Sequence, residues 1–255
     1  MSVASGVSGW VKINPVDYLN EELYSTVFSC KGIKAVGKIV IANGNIAIAS
    51  AEDGVHSNDF EIFGGKLNIV TKEDGIHSVN MAEIKDGEIG IHKSYKGIKA
   101  SSVYVSGGVI QAASFSDGID CPLVTVDDGE LYLFDKVDVG VEGVFKINGG
   151  TVLIVASSSN PCLPTETSLN SVKCTFRKPQ YAMHTSLLNV YGGGIYVTAK
   201  LPKGYTEKIS ISLISDKLVS GEYSVKIGQS DEAIKGIVSF KGIDIDNAIV
   251  EKLHK

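Results

Sequence analysis

Residues 53–78 read DGVHSNDFEIFGGKLNIVTKEDGIHS, so this stretch begins and ends with the motif Asp-Gly-(Val/Ile)-His-Ser. Between the two copies lies a Gly-Gly pair, flanked by runs in which apolar and polar residues alternate. The two motif glycines, Gly54 and Gly75, are 21 residues apart. A repeat of this length predicts a chain that coils, with one supersecondary unit in each turn.

Two glycine columns extend the same period along the chain. The first, in steps of 21 or 22 residues, contains Gly32, Gly54, Gly75, Gly97, Gly118 and Gly140. The second contains Gly44, Gly65, Gly87, Gly108, Gly129 and Gly150. Two or three short alternating runs occupy each period, and such alternation is typical of half-buried strands. The sequence therefore predicts an all-β, single-stranded parallel β-helix of six rungs over residues 31–156, with like strands about 4.8 Å apart.

The alignment also separates the core from the surface. Each buried apolar side chain in the bore should stabilise the coil by roughly 1.5–3 kcal/mol. One predicted inward column is Ile33, Val55, Ile76, Ile98, Ile119 and Val141, and the other is Ile46, Leu67, Ile89, Val109, Leu131 and Val152.

The two ends of the coil need caps, because an open rung exposes unpaired strand edges. Residues 1–30 are predicted to form the N-terminal cap, with a helix over 15–27 that has Asn14 as N-cap and Pro15 at its first position. After residue 157 the period fails. Alternating runs in 157–255 predict antiparallel strands that pack on the C-terminal end of the coil.

Composition excludes some classes of function. A net charge of −5 argues against a nucleic-acid-binding protein. No apolar run reaches 18 residues, so no membrane span is predicted. The first twenty residues lack a basic region followed by an apolar stretch, so no export signal is predicted. The cysteines match no zinc pattern; Cys162 and Cys174 are close enough for a local disulfide, and four buried reduced thiols are the alternative.

Charged residues flank the first glycine column. The position before it reads Lys31, Asp53, Asp74, Lys96, Asp117 and Val139, and the position two after it reads Lys34, His56, His77, Lys99, Asp120 and Glu142. Asp53 and Asp74, with Glu52 and Glu73, are candidate calcium ligands, because clustered carboxylates suit calcium. The alternative is a surface ladder in which Lys31 and Lys96 neutralise the two aspartates.

Other side chains at these positions are candidates for ligand binding. His56 and His77 could bind a transition metal or hydrogen-bond a sugar, although two ligands alone seldom hold zinc. Lys34, Lys96 and Lys99 form either a basic strip that favours an anionic ligand or ordinary solvated side chains. Tyr95 and Phe115 are expected at turns, where they stack on sugar rings or cap the packing.

A catalytic function is an alternative to ligand binding alone. A lyase acting on uronates needs calcium and a strong base, and Lys96 or Lys99 could serve as that base. The one arginine, Arg177, lies outside the predicted coil. A hydrolase needs two carboxylates at a defined separation, and Asp117 with Asp120 is too generic a pair to indicate one.

The motifs resemble those of a family of bacterial carbohydrate-binding β-helix proteins, whose repeats read like D-G-I-H-S followed by a strand ending in G-G-T. Residues 31–34, 53–57, 74–78, 93–99 and 116–120 resemble its repeats, and 204–228 resemble its C-terminal segment. The resemblance implies a right-handed coil shaped like a pectate lyase, on secreted or cell-surface proteins. It also implies binding of cellulose and of acidic sugars such as polygalacturonate, with bound calcium and no established lyase activity.

By the same resemblance, Asp53, Asp74 and Asp117 match the family's acidic repeat positions. The chain departs from the family at Lys96 and Lys99, where E-G-I-E is usual. Three functions follow as hypotheses: a non-catalytic polysaccharide-binding protein, a structural β-helix subunit that self-associates through its coil ends, and a polysaccharide lyase.

Overall fold

The computed structural model describes residues 2–4, 30–135, 143–157, 162–177, 186–193, 195–201, 208–228 and 243–244. Within these ranges the chain forms 23 strands and no helix. The helix predicted over 15–27 lies outside the described residues. Among the described residues, no helix is long and apolar enough to span a membrane.

Three stacks of parallel strands form a coil of about six turns. Face 1 contains β2 (Ile33–Lys34), β5 (Val55–Ser57), β8 (Ile76–Ser78), β11 (Ile98–Lys99) and β13 (Ile119–Asp120). Face 2 contains β3 (Lys38–Ile41), β6 (Asp59–Ile62), β9 (Met81–Ile84), the first parts of β12 (Ser102–Ser114) and β14 (Leu123–Asp135), β15 (Val144–Ile147) and β17 (Glu166–Thr167).

Face 3 completes each turn. It contains β1 (Ser2–Ala4), β4 (Asn45–Ser50), β7 (Lys66–Thr71), β10 (Glu88–Ser94), the second parts of β12 and β14, and β16 (Thr151–Ala156). The prediction of a parallel, coiled all-β architecture is confirmed. Its right-handedness stays a prediction.

The bore is filled by stacked apolar side chains. On face 1 the register pairs Ile33, Val55, Ile76, Ile98 and Ile119 in sequence, as predicted; Val141 lies outside the described residues. On face 3 the prediction that Val109 points into the bore is wrong. Ile110 pairs with Ile89 and with Leu131 and is fully buried, whereas Val109 pairs with Glu88. A shift of one residue along a strand moves a side chain to the opposite face.

The two glycine columns have different physical causes. Glycines of the second column, such as Gly44 at φ +117°, adopt positive φ, which L side chains rarely tolerate. Described glycines of the first column have ordinary φ but lack space. A Cβ on Gly75 would lie 2.5 Å from the carbonyl oxygen of Gly97 and 2.8 Å from Ile91 Cδ1. Most second-column glycines also lack space, since a Cβ on Gly65 would lie 2.4 Å from the carbonyl oxygen of Gly44. The period is therefore specified at one corner by positive φ together with close approach of successive rungs, and at the other by close approach alone.

Beyond residue 157 the described strands are mainly antiparallel. β18 (Asn170–Arg177) pairs with β21 (Lys208–Ser215), which pairs with β16 of the last turn. A second antiparallel sheet contains β19 (Ser186–Gly192), β20 (Ile195–Leu201), β22 (Ser224–Gly228) and β23 (Ile243–Asp244).

A second hydrophobic cluster joins this region to the coil. Phe134, Leu153 and Val155 of face 3 belong to it, together with Leu188 of β19 and Ile211 of β21. All six residues of β16 are consequently buried, because the bore covers one side of this strand and the C-terminal strands cover the other. The division of the chain at residues 30 and 156 stays a prediction.

None of the four cysteines, all of which lie within the described ranges, forms a disulfide. The disulfide between Cys162 and Cys174, one of the two alternatives from the sequence, is therefore not formed. Cys162 is half-buried, whereas the other three are buried.

Candidate functional site

The candidate site lies along the corner where face 3 turns into face 1. Each first-column glycine that the structure describes directly precedes a strand of face 1, so the residues beside it occupy the same corner in each of these rungs. The register stacks Lys34, His56, His77, Lys99 and Asp120. We call this surface the corner strip, and it contains every predicted site residue: Glu52, Asp53, His56, Glu73, Asp74, His77, Tyr95, Lys96, Lys99, Phe115 and Asp117.

Asp53 is the most enclosed carboxylate of the corner strip, with a side chain only 4% exposed. Its Oδ2 atom accepts a hydrogen bond from His56 Nδ1 at 2.8 Å and lies 3.1 Å from Lys31 Nζ. Its Oδ1 atom accepts from the backbone N–H of Asp74 at 3.3 Å. Burial opposes ionisation of Asp53, but the hydrogen bonds from His56 and Lys31 outweigh it and lower its pKa.

Asp74, one rung further on, has the opposite electrostatic environment. Burial, followed by the negative charge of Asp53, raises its pKa to about 6. Lys99 and Lys96 offset part of this rise, and Lys99 Nζ lies 4.0 Å from Asp74 Oδ2. The two aspartates thus titrate in different pH ranges, which is the behaviour of a coupled carboxylate pair.

The two histidines of the repeated motif contact each other. Their rings pack edge to face, with centroids 4.6 Å apart and planes at 70°. His77 Nδ1 lies 3.5 Å from Asp53 Oδ2 and 3.6 Å from Asp74 Oδ2. Burial lowers the pKa of His77. The structure therefore places the carboxylate of Asp53 against both histidines. The sequence did not predict this contact, because it does not fix the direction in which the Asp53 side chain points.

The lysines of the corner strip are paired with carboxylates. Lys31 Nζ lies 2.9 Å from Glu52 Oε2, in addition to its contact with Asp53. Lys96 forms a short ion pair with Asp120 and lies 3.8 Å from Asp117. Lys31 thus forms the predicted salt bridge with Asp53. Asp74 is paired with Lys99 instead of the predicted Lys96.

Lys31 and Asp120 were absent from the predicted site, although both belong to the two charged columns that the repeat defines. Their ion pairs make the corner strip mixed in charge rather than basic. A basic strip formed by Lys34, Lys96 and Lys99 is therefore only part of the surface.

The predicted calcium ligands do not form one group of oxygen atoms. Calcium takes six to eight oxygen ligands, but two imidazoles and an ammonium group surround Asp53 Oδ2. Glu52 contacts Lys31, and Glu73 is exposed. The rung of Lys96 separates Asp117 from Asp74, because Gly97 N–H bonds to Asp117 O while Gly75 N–H bonds to Lys96 O. A calcium requirement stays a prediction that the structure does not test.

Two aromatic side chains form a platform on the corner strip. The rings of Tyr95 and Phe115 stack, with centroids 6.0 Å apart and planes at 22°. Tyr95 is 49% exposed and Phe115 is 54% exposed, so neither is a buried packing cap. Backbone hydrogen bonds fix both turns, including Tyr95 N–H to Glu73 O at 2.8 Å and Phe115 N–H to Ser94 O at 3.0 Å. The two rings therefore form an exposed apolar surface at this corner of the coil.

A family model described as "Carbohydrate-binding domain-containing protein" matches residues 6–75 and 60–250. No curated protein and no solved structure matches the chain.

Proposed function

Because this chain belongs to the family of carbohydrate-binding domain-containing proteins, we propose that it binds a polysaccharide along the corner strip without cleaving it. The stacked and exposed pair of Tyr95 and Phe115 is the observation that supports this location. Sugar rings present apolar C–H faces, which aromatic rings cover. Lys99 follows Tyr95 in the same rung, and His77 pairs with Lys99 from the preceding rung. The polar atoms of these two side chains suit the hydroxyl and carboxylate groups at the edges of the sugar.

The repeat favours an extended polymer as the ligand. Successive rungs are about 4.8 Å apart, which is close to the length of one pyranose in an extended chain. A polysaccharide parallel to the coil axis would therefore meet a new set of side chains with nearly every sugar. In this arrangement the platform contacts ring faces, and His56 and His77, each about one quarter exposed, hydrogen-bond to hydroxyl groups.

Acidic sugars such as polygalacturonate and neutral β-linked chains such as cellulose are both proposed ligands. Lys34 and the partly exposed Lys99 favour a uronate carboxylate. The nearby carboxylates Asp53, Asp74 and Asp120 oppose it, unless calcium bridges the two sets of anions. Comparing the two polymers, with calcium and with a chelator, separates these possibilities.

The environment of Lys96 supports a non-catalytic role. A lysine that removes a proton near neutral pH needs a lowered pKa. The hydrogen bond to Asp120 instead raises the pKa of Lys96, although burial opposes this. Lys96 is thus held as a cation and is a poor general base, which argues against Lys96 as the base of a lyase.

Binding and cleavage can be measured on the same samples. Purified protein should co-sediment with cellulose or be retarded in gels containing polygalacturonate, while ultraviolet absorbance of polygalacturonate solutions stays constant with added calcium. A rising absorbance, which reports unsaturated uronate ends, would identify a lyase instead. Failure to bind any polymer, together with concentration-dependent filaments, would favour the structural-subunit hypothesis. Secretion or cell-surface location stays a prediction from the family resemblance.

A further inference from the structure

Three metal-binding donors converge on one point of the corner strip. Asp53 Oδ2 lies 2.8 Å from His56 Nδ1 and 3.5 Å from His77 Nδ1, and the three residues offer one donor atom each within 4.8 Å of one another. In a tetrahedral zinc site with bonds of 2.0–2.1 Å, neighbouring ligand atoms are about 3.3 Å apart. The two separations from Asp53 bracket this value, and the imidazole donors are near enough for side-chain movements to complete the geometry.

We propose that Asp53, His56 and His77 bind one divalent transition-metal ion, for which zinc is the best match. Two imidazole nitrogens and one carboxylate oxygen suit zinc, whereas calcium prefers oxygen alone. The sequence offered only the two histidines, which is too few ligands. The coil supplies the third by placing Asp53 of one motif beside the histidine of the next.

The surroundings of this triad are consistent with a site that keeps an open position. Asp74 Oδ2 lies 3.6 Å from His77 Nδ1, where it borders the fourth position and can accept a hydrogen bond from a metal-bound water. The backbone is fixed by bonds between rungs, with Gly54 N–H to Asp74 O at 2.9 Å and Val55 N–H to Gly75 O at 3.0 Å. The ligands therefore project from two strands that hold each other in register.

Lys31 competes with the metal for Asp53. Its ammonium group lies 3.1 Å from the same Oδ2 atom that the metal would take. A bound ion displaces this contact, and Lys31 retains Glu52 at 2.9 Å. Metal binding also requires the Nδ1 proton of His56 to move to Nε2 or to solvent, because Nδ1 must offer its lone pair to the metal. Replacing Lys31 by Met should therefore strengthen metal binding, which a role of Lys31 as an ordinary surface lysine does not predict.

The test uses the whole protein, without glycan, and measures zinc affinity by competition with a chromophoric chelator. We expect one zinc per chain and a loss of affinity of at least about 100-fold in His56→Asn, His77→Asn and Asp53→Asn, beyond the 10- to 100-fold typical of outer-shell partners. His92→Asn, which removes an exposed histidine on face 3, is the matched control and should bind as the unmodified chain does. Circular dichroism checks that each variant is folded.

Two further measurements sharpen the outcome. Cobalt should give the intense visible bands of tetrahedral coordination, and His56 and His77 ring signals should shift on titration with zinc while the His92 signal stays unchanged. Equal zinc affinity in His56→Asn, His77→Asn and the unmodified chain would overturn the proposal. It would also be overturned if calcium, but not zinc, bound and required Asp53 but neither histidine. Because no glycan is present, either result leaves the proposed polysaccharide binding to be judged by its own assay.

Discussion

Replacing Gly75 by Ala tests whether close approach of successive rungs specifies the coil. The added Cβ would lie 2.5 Å from Gly97 O and 2.8 Å from both Cδ1 and Cγ2 of Ile91. Gly97 O accepts the backbone hydrogen bond of Ile76 at 3.0 Å, so moving it weakens a bond between rungs. Overpacking costs about 1–3 kcal/mol, and a weakened hydrogen bond adds about 1 kcal/mol. We expect a destabilisation of about 2–4 kcal/mol.

Two other glycines provide controls for this substitution. Nothing lies within 4 Å of a Cβ on Gly37, so Gly37→Ala should leave stability unchanged or raise it by about 0.4–1 kcal/mol. A Cβ on Gly44 also has open space, but its positive φ should cost about 1–3 kcal/mol.

Thermal unfolding followed by circular dichroism should place the midpoint of Gly75→Ala about 5–15 °C below that of the unmodified chain. Urea unfolding then gives the free-energy differences among the three variants. Equal midpoints for Gly75→Ala and Gly37→Ala would refute the assignment of the first glycine column to rung contact.

Further predictions concern titration and thiol reactivity. Because the pKa of Asp74 is raised to about 6, ionisation of its carboxyl group lowers the free energy of unfolding as pH rises through 6. Asp74→Asn should therefore gain stability relative to the unmodified chain between pH 4 and pH 7, by up to about 3 kcal/mol. Urea unfolding at each pH measures this difference. A pH-independent difference would contradict the electrostatic account. Hydrogen bonds from Lys38 and Lys85 lower the pKa of Glu61 to about 2, so its carboxylate signal should titrate near that pH in NMR spectra. Burial raises the pKa of Cys174 to about 12, and a thiol reagent should label the half-buried Cys162 long before Cys174 in the native protein.

The glycine period made the coil predictable from sequence because it constrains the backbone locally. Each turn needs positive φ at one corner and close approach at another, so glycine must recur at a fixed spacing. The charged columns followed from the same alignment, and the structure places His56, His77 and Lys99 in the predicted stack. Val109 directly follows Gly108, whereas the other members of its predicted column stand two residues after their glycine. This difference of one residue places Val109 on the opposite face of the strand.

The hydrogen bonds and ion pairs between side chains of the corner strip were harder to predict from the sequence. Sequence spacing gives the rung of each side chain but not its torsion angles, so it did not show that Asp53 turns in toward His56 while Lys96 reaches Asp120. The burial of the last turn beneath the C-terminal strands is also indicated by the sequence, outside the glycine repeat. Residues 151–156, TVLIVA, are almost continuously apolar, which is typical of a strand that is buried on both sides.

Binding of a soluble polysaccharide by a platform variant tests the proposed function most directly. The double variant Tyr95→Ala, Phe115→Ala removes the stacked rings, and Phe63→Ala is the control, because Phe63 is 45% exposed at another corner of the coil, near Lys85. Losing even about 1.5 kcal/mol of apolar burial should weaken binding by at least about tenfold in the double variant, with no change in Phe63→Ala. Equal affinity in both variants would contradict binding at the corner strip, and no affinity in the unmodified chain would contradict the polysaccharide-binding function itself.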